Sequence, residues 1–258
     1  MDEIKKGFFH NIYYSIAGYK YYKYFPGERL SKAFLYLLLL SLVVGIIGMS
    51  VPLVILNGSI NQMILRYDSD VPEFTFSNGE LTVEGQMPII IDGGYTTVII
   101  DTTVSDENSI LNNYDRAILV TKDKLIQKTY EKKQVTNFSM LSGFSTNKDE
   151  VREMLPMLKW LVAIFAFLLL IWFIIEKFIG ALIYGALGWA LSRAMRLNLV
   201  FRDCLVLAIH AMTLPMIVFG ILEILPLTIP FLWFLFYVVT NIYLYGGLSE
   251  IRKNQLSI

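Results

Sequence analysis

The residues equipped for chemistry in this chain sit where polarity is costly. His210, Thr213 and Asn241 interrupt apolar runs near the C-terminus, and the adjacent pair Glu176-Lys177 interrupts the longest run of all. A polar group in hydrocarbon needs a partner, so each marks either a route for a proton, ion or ligand or a hydrogen bond that fixes a bundle. His210 and Asn241 fall about 10 Å inside their segments at helical rise. One His and one Asn are too few for a relay. The expectation is a structural His210–Asn241 bond, with Glu176 and Lys177 snorkelling to the interface. His210, Asn241, Thr213, Glu176 and Lys177 form the candidate intramembrane polar layer.

Other chemistry finds little support. The chain has no G-x-S-x-G, H-E-x-x-H or P-loop, and its only histidines are His10 and His210. Asp68-Ser69-Asp70 has the first alternation of a calcium loop without its later Gly and Glu. Asp101, before Thr102-Thr103, suits an Asx turn. Cys204, the single cysteine, reads as structural. No catalytic residue, metal site or cofactor is assigned, and the chain is not read as an enzyme. No clustered basic face suggests nucleic acid.

The elements that must hold these groups are membrane helices. Of 258 residues 55% are hydrophobic, with mean hydropathy +0.54, and the excess lies in runs too long for a soluble core. Residues 1–32 are an aromatic and basic lead in which Phe9, Ile12, Tyr13 and Ile16 recur at helical spacing, an interfacial helix on the cytoplasmic leaflet. No cleavable signal is read in it. Residues 33–56, uncharged, are a first span that Pro52 kinks or ends. Residues 148–192 are read as a second span on one long helix, capped by Asn147 and Glu150, with Gly180, Gly185 and Gly188 as bend points; two spans broken at Glu176-Lys177 are the alternative. Ala181/Gly185 and Ala186/Ala190/Ala194 are small residues four apart, a candidate helix-packing face. A basic loop (193–203), a third span (204–222), a short outer turn with Pro226 and Pro230 (223–230), a fourth span (231–248) and a tail (249–258) complete the chain.

Residues 57–147 change character. Phe74–Ser77, Asn78-Gly79 and Glu80–Glu84 form the best hairpin signal, because Asn-Gly suits a type I′ turn. Further strands are read at 88–91, 95–101, 117–121, 125–130 and 134–138, with Gly93-Gly94 breaking the second pair. About seven short strands, mostly antiparallel, make one small sheet. Phe74/Phe76, Val98/Ile100 and Ile118/Val120 are among the pairs expected to face the core. Residues 57–157 carry 9 Lys/Arg and 15 Asp/Glu, and the rest of the chain 13 and 7. The lead, the 193–203 loop and the tail are basic, so all three fall on the cytoplasmic side and the acidic domain outside. The fold class expected is an α-helical membrane protein: four transmembrane helices, an extracytoplasmic β-rich domain between the first two, and both termini cytoplasmic in the plasma membrane.

The order KAFLYLLLLSL, FSNGELTVE, VIIDTT at 98–103, ILVTKDKLIQK at 118–128 and three C-terminal helices resembles the DUF1189 family of bacterial, mostly Firmicute, membrane proteins over essentially the whole chain. The resemblance implies a Gram-positive membrane setting. Through members labelled "maltodextrin utilization protein" it also implies a link to sugar uptake. It supplies no catalytic residues. The leading expectation is an accessory or sensory membrane protein whose outer domain binds a ligand or partner and whose bundle contacts lipid and a transporter or other membrane protein, a second copy included. The alternatives are a transport subunit with a pathway through the bundle and a membrane enzyme acting on lipid or cell-wall precursors.

Overall fold

A computed structural model describes residues 7–92, 95–222, 224 and 231–256. The Gly93-Gly94 break and most of the 223–230 turn, with Pro226 and Pro230, lie outside the described residues. The chain divides into two compact units, 1–56 with 162–258 and 57–161.

The first unit is a helix bundle. It opens with α1 (Phe8–Ile16) and a 3-10 segment (Tyr19–Tyr24). Then α2 (Leu30–Asp70) runs 41 residues with Pro52 inside it, so the helix passes both the proline and the expected end at 56. A proline removes one backbone donor, and the apolar turns on both sides carry the helix through. Among the described residues, three helical stretches are long and apolar enough to cross a membrane: Leu30–Asp70, Lys148–Ala194 and Phe201–Leu222.

The second unit begins with the last turns of α2 and continues as β1 (Phe74–Ser77) and β2 (Glu80–Val83). Asn78 and Gly79 have φ of 54° and 79° between them, as a type I′ turn requires. Next come β3 (Ile89–Asp92), β4 (Thr97–Ile100), α3 (Glu107–Leu111), β5 (Arg116–Val120), β6 (Lys124–Thr129), β7 (Lys132–Asn137) and β8 (Thr146–Asn147). The strands form two sheets rather than one: β2-β1-β8, and β3-β4-β5-β6-β7. The second sheet was hidden because β8, two residues long before a helix cap, leaves no alternation to read. All pairings are antiparallel except β4 with β5, which α3 connects.

The core of the five-stranded sheet is Ile99, Leu111, Ala117, Leu119 and Ile126. The inward face is therefore the opposite of the one expected, and Val98, Ile100, Ile118 and Val120 are half-buried. Strands β4 and β5 are apolar on both faces, so alternation cannot choose between them. Leu111 of α3 makes the choice by sealing the Ile99–Leu119 side.

Asn147 then caps α4 (Lys148–Met154), its side chain accepting from the Glu150 amide at 2.9 Å. From there α5 (Met157–Ala194) is one uninterrupted helix through Glu176-Lys177 and all three glycines. The glycines are sites of close approach. A Cβ at Gly185 would meet Leu205 at 3.0 Å, and one at Gly188 would meet Leu244 at 3.2 Å. Back in the first unit, α6 (Phe201–Ala211), α7 (Thr213–Leu222) and α8 (Leu232–Leu256) complete the bundle. Its core includes Tyr22, Leu37, Leu40, Leu207, Ile209, Met212 and Leu244. The lead is thus part of this core: Tyr22 is fully buried and Phe25 5% exposed, while Phe9 and Tyr13 of α1 face outward.

Candidate functional site

The lead reaches the core through a turn that the sequence spells in four letters. In Phe25-Pro26-Gly27-Glu28, the Glu28 amide donates to the Phe25 carbonyl at 3.0 Å and Gly27 has φ of +86°. Proline then glycine at the two central positions is the type II pattern, and only glycine takes that positive φ without strain. The Gly27 amide donates to Asp203 Oδ1 at 3.1 Å, which ties the turn to the start of α6. The turn folds Glu28 back into the bundle, where it is 7% exposed.

There it meets His210. The imidazole is fully buried, with Nε2 3.1 Å from Glu28 Oε2 and Nδ1 2.9 Å from Ser15 Oγ. Ser15, also fully buried, donates its hydroxyl to the Asn11 carbonyl at 2.6 Å. The Tyr22 hydroxyl donates to the Ser15 carbonyl at 3.1 Å. The Phe25 ring stacks on the imidazole with centroids 3.6 Å apart and planes within 7°. The Tyr36 ring lies 5.0 Å away, and its hydroxyl is 2.9 Å from Thr213 Oγ1. The cluster joins α1, the 3-10 segment, the Pro26-Gly27 turn, α2, α6 and α7.

Of the expected polar layer, His210 and Thr213 come together here. Asn241 does not join them: its side chain donates to the Tyr237 carbonyl one turn back on α8 at 2.9 Å. The expected His210–Asn241 bond is replaced by one that the lead supplies. A long buried side chain takes the partner that reaches it, and depth along a helix says nothing of its facing. Ser15, Glu28 and Tyr36 were not anticipated. The F-P-G-E turn beside an uncompensated buried histidine was the available signal.

Glu176 and Lys177 form a separate place. Lys177 does not snorkel outward. It is 9% exposed, 3.1 Å from Glu176 Oε1, with its ammonium 4.6 Å from the Phe173 ring centre and 4.8 Å from that of Phe236. The pair lines a cavity of about 610 Å³ walled by Val44, Met212, Met216 and Phe219. The small-residue face also divides. Ala181 and Gly185 are buried with Tyr184, Gly188 and Ser192, whereas Ala186, Ala190 and Ala194 are exposed. The buried stripe follows the i, i+3, i+4 row, and the other alanines lie off it. Cys204 is buried against α5, its Sγ 3.8 Å from Ser192 Oγ.

Ser, His and Glu in a hydrogen-bonded line have the residue types of a nucleophile, base and orienting acid. Here the serine is fully buried and its hydroxyl donates to a backbone carbonyl, and the line ties α1 and the Pro26-Gly27 turn to α6.

In the second unit, Asp101 Oδ1 accepts from the Thr103 amide at 2.9 Å and hydroxyl at 2.7 Å, the Asx turn expected. Asp68 pairs with Arg152 at 2.8 Å. No group of three or more metal-ligating side chains occurs among the described residues. The Glu107 carboxylate, 2.5 Å from Lys124, raises the lysine's pKa above its ordinary value. Burial raises that of Tyr67, with Asp68, Glu73 and Asp149 adding to it.

The family described as "Protein of unknown function (DUF1189)" matches residues 9–248. No curated protein matches the chain, and no solved structure does.

Proposed function

The chain belongs to the DUF1189 family, and we propose that it is an accessory or sensory integral membrane protein without catalytic activity, in which the β unit binds a ligand or partner and the bundle responds. One observation carries this reading. Helix α2 and the α5 helix each pass without a break from the bundle unit into the β unit. At 1.5 Å per residue α2 alone is about 60 Å long, about twice a hydrocarbon core. A strain on the β unit therefore has two unbroken backbones along which to reach the Ser15–His210–Glu28 line.

In this reading the protein has four spans, α8 being the fourth, with both termini cytoplasmic and the acidic β unit outside. Basic residues at Arg193, Arg196, Arg202, Arg252 and Lys253 favour that side by the positive-inside rule. The outward Phe9 and Tyr13 of α1 then lie in the headgroup layer. A cysteine placed at Asn78 should react with an impermeant maleimide from outside, and one placed at the C-terminus should not. Labelling of the second from outside refutes the topology.

The functional half is tested by copurification in mild detergent and by melting of the purified protein with maltodextrins. A stoichiometric transporter partner, or a rise in melting temperature by linkage, supports the accessory, sugar-linked reading. A lone protein that no sugar stabilises counts against it. The transport reading keeps one observation of its own, the Glu176-Lys177 cavity. Substrate flux abolished by Lys177→Met would favour it.

A further inference from the structure

The five-stranded sheet ends in a strand whose outer backbone is unclaimed. All six residues of β7 are exposed, and β6 is its only neighbour in the sheet. The Phe138 amide donates to the Asp123 carbonyl at 2.8 Å, which fixes the alternation back along the β6–β7 hairpin. Leu125–Thr136 and Gln127–Gln134 are hydrogen-bonded pairs, and Lys124–Asn137, Ile126–Val135 and Lys128–Lys133 are not. The amides of Lys133, Val135 and Asn137 therefore point out of the sheet, and among the described residues no backbone group takes them. The other edges offer less. Strands β2 and β3 have four residues each and β8 has two, and the Leu81 amide of β2 already donates to the Lys122 carbonyl at 2.7 Å. Val135 adds an apolar group to the open edge. It lies across from Ile126 of the core yet is 54% exposed.

We propose that β7 is the surface through which two copies of this chain associate, antiparallel and centred on Val135. A second copy suits this edge because the strand is complementary to itself in one register only. With Val135 opposite Val135, the two residues exchange both backbone bonds, and each Asn137 amide reaches the Lys133 carbonyl of the other copy. The two valines cover each other and extend the Ile126 side of both cores. Lys133 falls opposite Asn137, and Lys132 opposite Phe138, so no lysine faces a lysine. Four residues of about 3.4 Å set the two Lys133 positions about 13 Å apart along the strands, beyond a screening length of about 8 Å. A register centred on Lys133 puts like charges face to face and sets Val135 against Glu131 of the turn. One centred on Asn137 runs into the 3-10 turn Phe138–Leu141. Lysines on an edge strand deter indiscriminate pairing, and here they leave one arrangement open. The pairing needs neither sugar nor transporter, so it stands apart from the reading above.

The test is disulfide mapping of the full chain in the membranes of the expressing cell, with Cys204→Ala removing the one native thiol. After mild oxidation Val135→Cys should run as a covalent dimer, because opposed residues of a hydrogen-bonded pair stand about 5.5 Å apart at Cα, within disulfide reach. Lys133→Cys alone and Asn137→Cys alone should stay monomeric, whereas a chain carrying both should form the dimer. Val135→Pro in that doubly substituted chain should abolish the dimer and leave the melt unchanged, because the amide it removes is used only between copies. Equal dimer yields at all positions would mean random collision and overturn the proposal. So would a Val135→Cys chain that stays monomeric or couples to another protein, or a dimer that survives Val135→Pro. If Val135→Pro does not fold, the contrast between the single and double cysteine chains decides.

Discussion

Gly247→Ala should be destabilising although alanine is the better helix former. Gly247 lies in the interior of α8, and a Cβ there would sit 2.4 Å from Tyr22 Cδ1, 2.8 Å from Cγ and 3.1 Å from Cβ. Tyr22 is fully buried, its ring packs edge-on against Phe25 at 5.4 Å, and its hydroxyl holds the Ser15 carbonyl. The ring cannot swing aside without moving the lead. Overpacking of this kind costs about 1–3 kcal/mol, and a lost hydrogen bond adds about 1 kcal/mol. Relief of the glycine in a helix returns only about 1 kcal/mol. The balance is a loss of about 1–3 kcal/mol. Gly58→Ala is the control, because it lies in α2 with nothing within 4 Å of the added carbon and should gain about 1 kcal/mol. Both are read by reversible denaturation in mixed micelles, with hydrogen exchange over residues 8–24 alongside. A Gly247→Ala protein at least as stable as the parent, with an equally protected lead, would refute the docking of the lead on α8.

Asn241→Ala and His210→Ala should be additive within about 0.5 kcal/mol, whereas His210→Ala and Glu28→Ala should couple by about 0.5–3 kcal/mol; the reverse pattern in a double-mutant cycle would restore the His–Asn pair. Residues 57–161 expressed alone should fold with a cooperative melt and a strand-containing circular dichroism spectrum, helped in solution by their acidic balance, and a random-coil spectrum would end that claim. The same fragment should lose stability as pH rises through the folded value of Lys124. A lysine raised by its carboxylate partner contributes fully below its unfolded value and nothing above its folded one, and Tyr67, raised by burial, acts in the same direction. Lys124→Gln should flatten that alkaline limb, and an unchanged limb would remove Lys124–Glu107 from the account.

What the sequence makes legible is what depends on neighbours along the chain. The Asn78-Gly79 turn and the Asn147 cap are each settled by a few adjacent residues, and the structure has them; the run through Glu176-Lys177 leaves one helix and two both open, and the structure has one. The inward face of the five-stranded sheet is different. With Val98, Ile99 and Ile100 all apolar, the choice rests on where α3 lies, a tertiary fact.

The histidine is the harder case, and it shows why a buried polar group cannot be partnered from depth alone. His210 and Asn241 interrupt apolar runs at similar expected depths, which makes them look like a pair. Glu28 is 182 positions from His210 and Ser15 is 195. Yet the energetics already argued for such a partner. An imidazole sealed among apolar residues wants two bonded nitrogens, and an amide can serve one only if it faces the ring. Asn241 has a lower-cost alternative, the Tyr237 carbonyl of its own helix. A chain with no other use for a carboxylate between an aromatic lead and its first span offers Glu28, and the Pro26-Gly27 turn is what lets it arrive. Reading the turn for what it aims, rather than for where it ends a segment, is the step that brings the lead into the site.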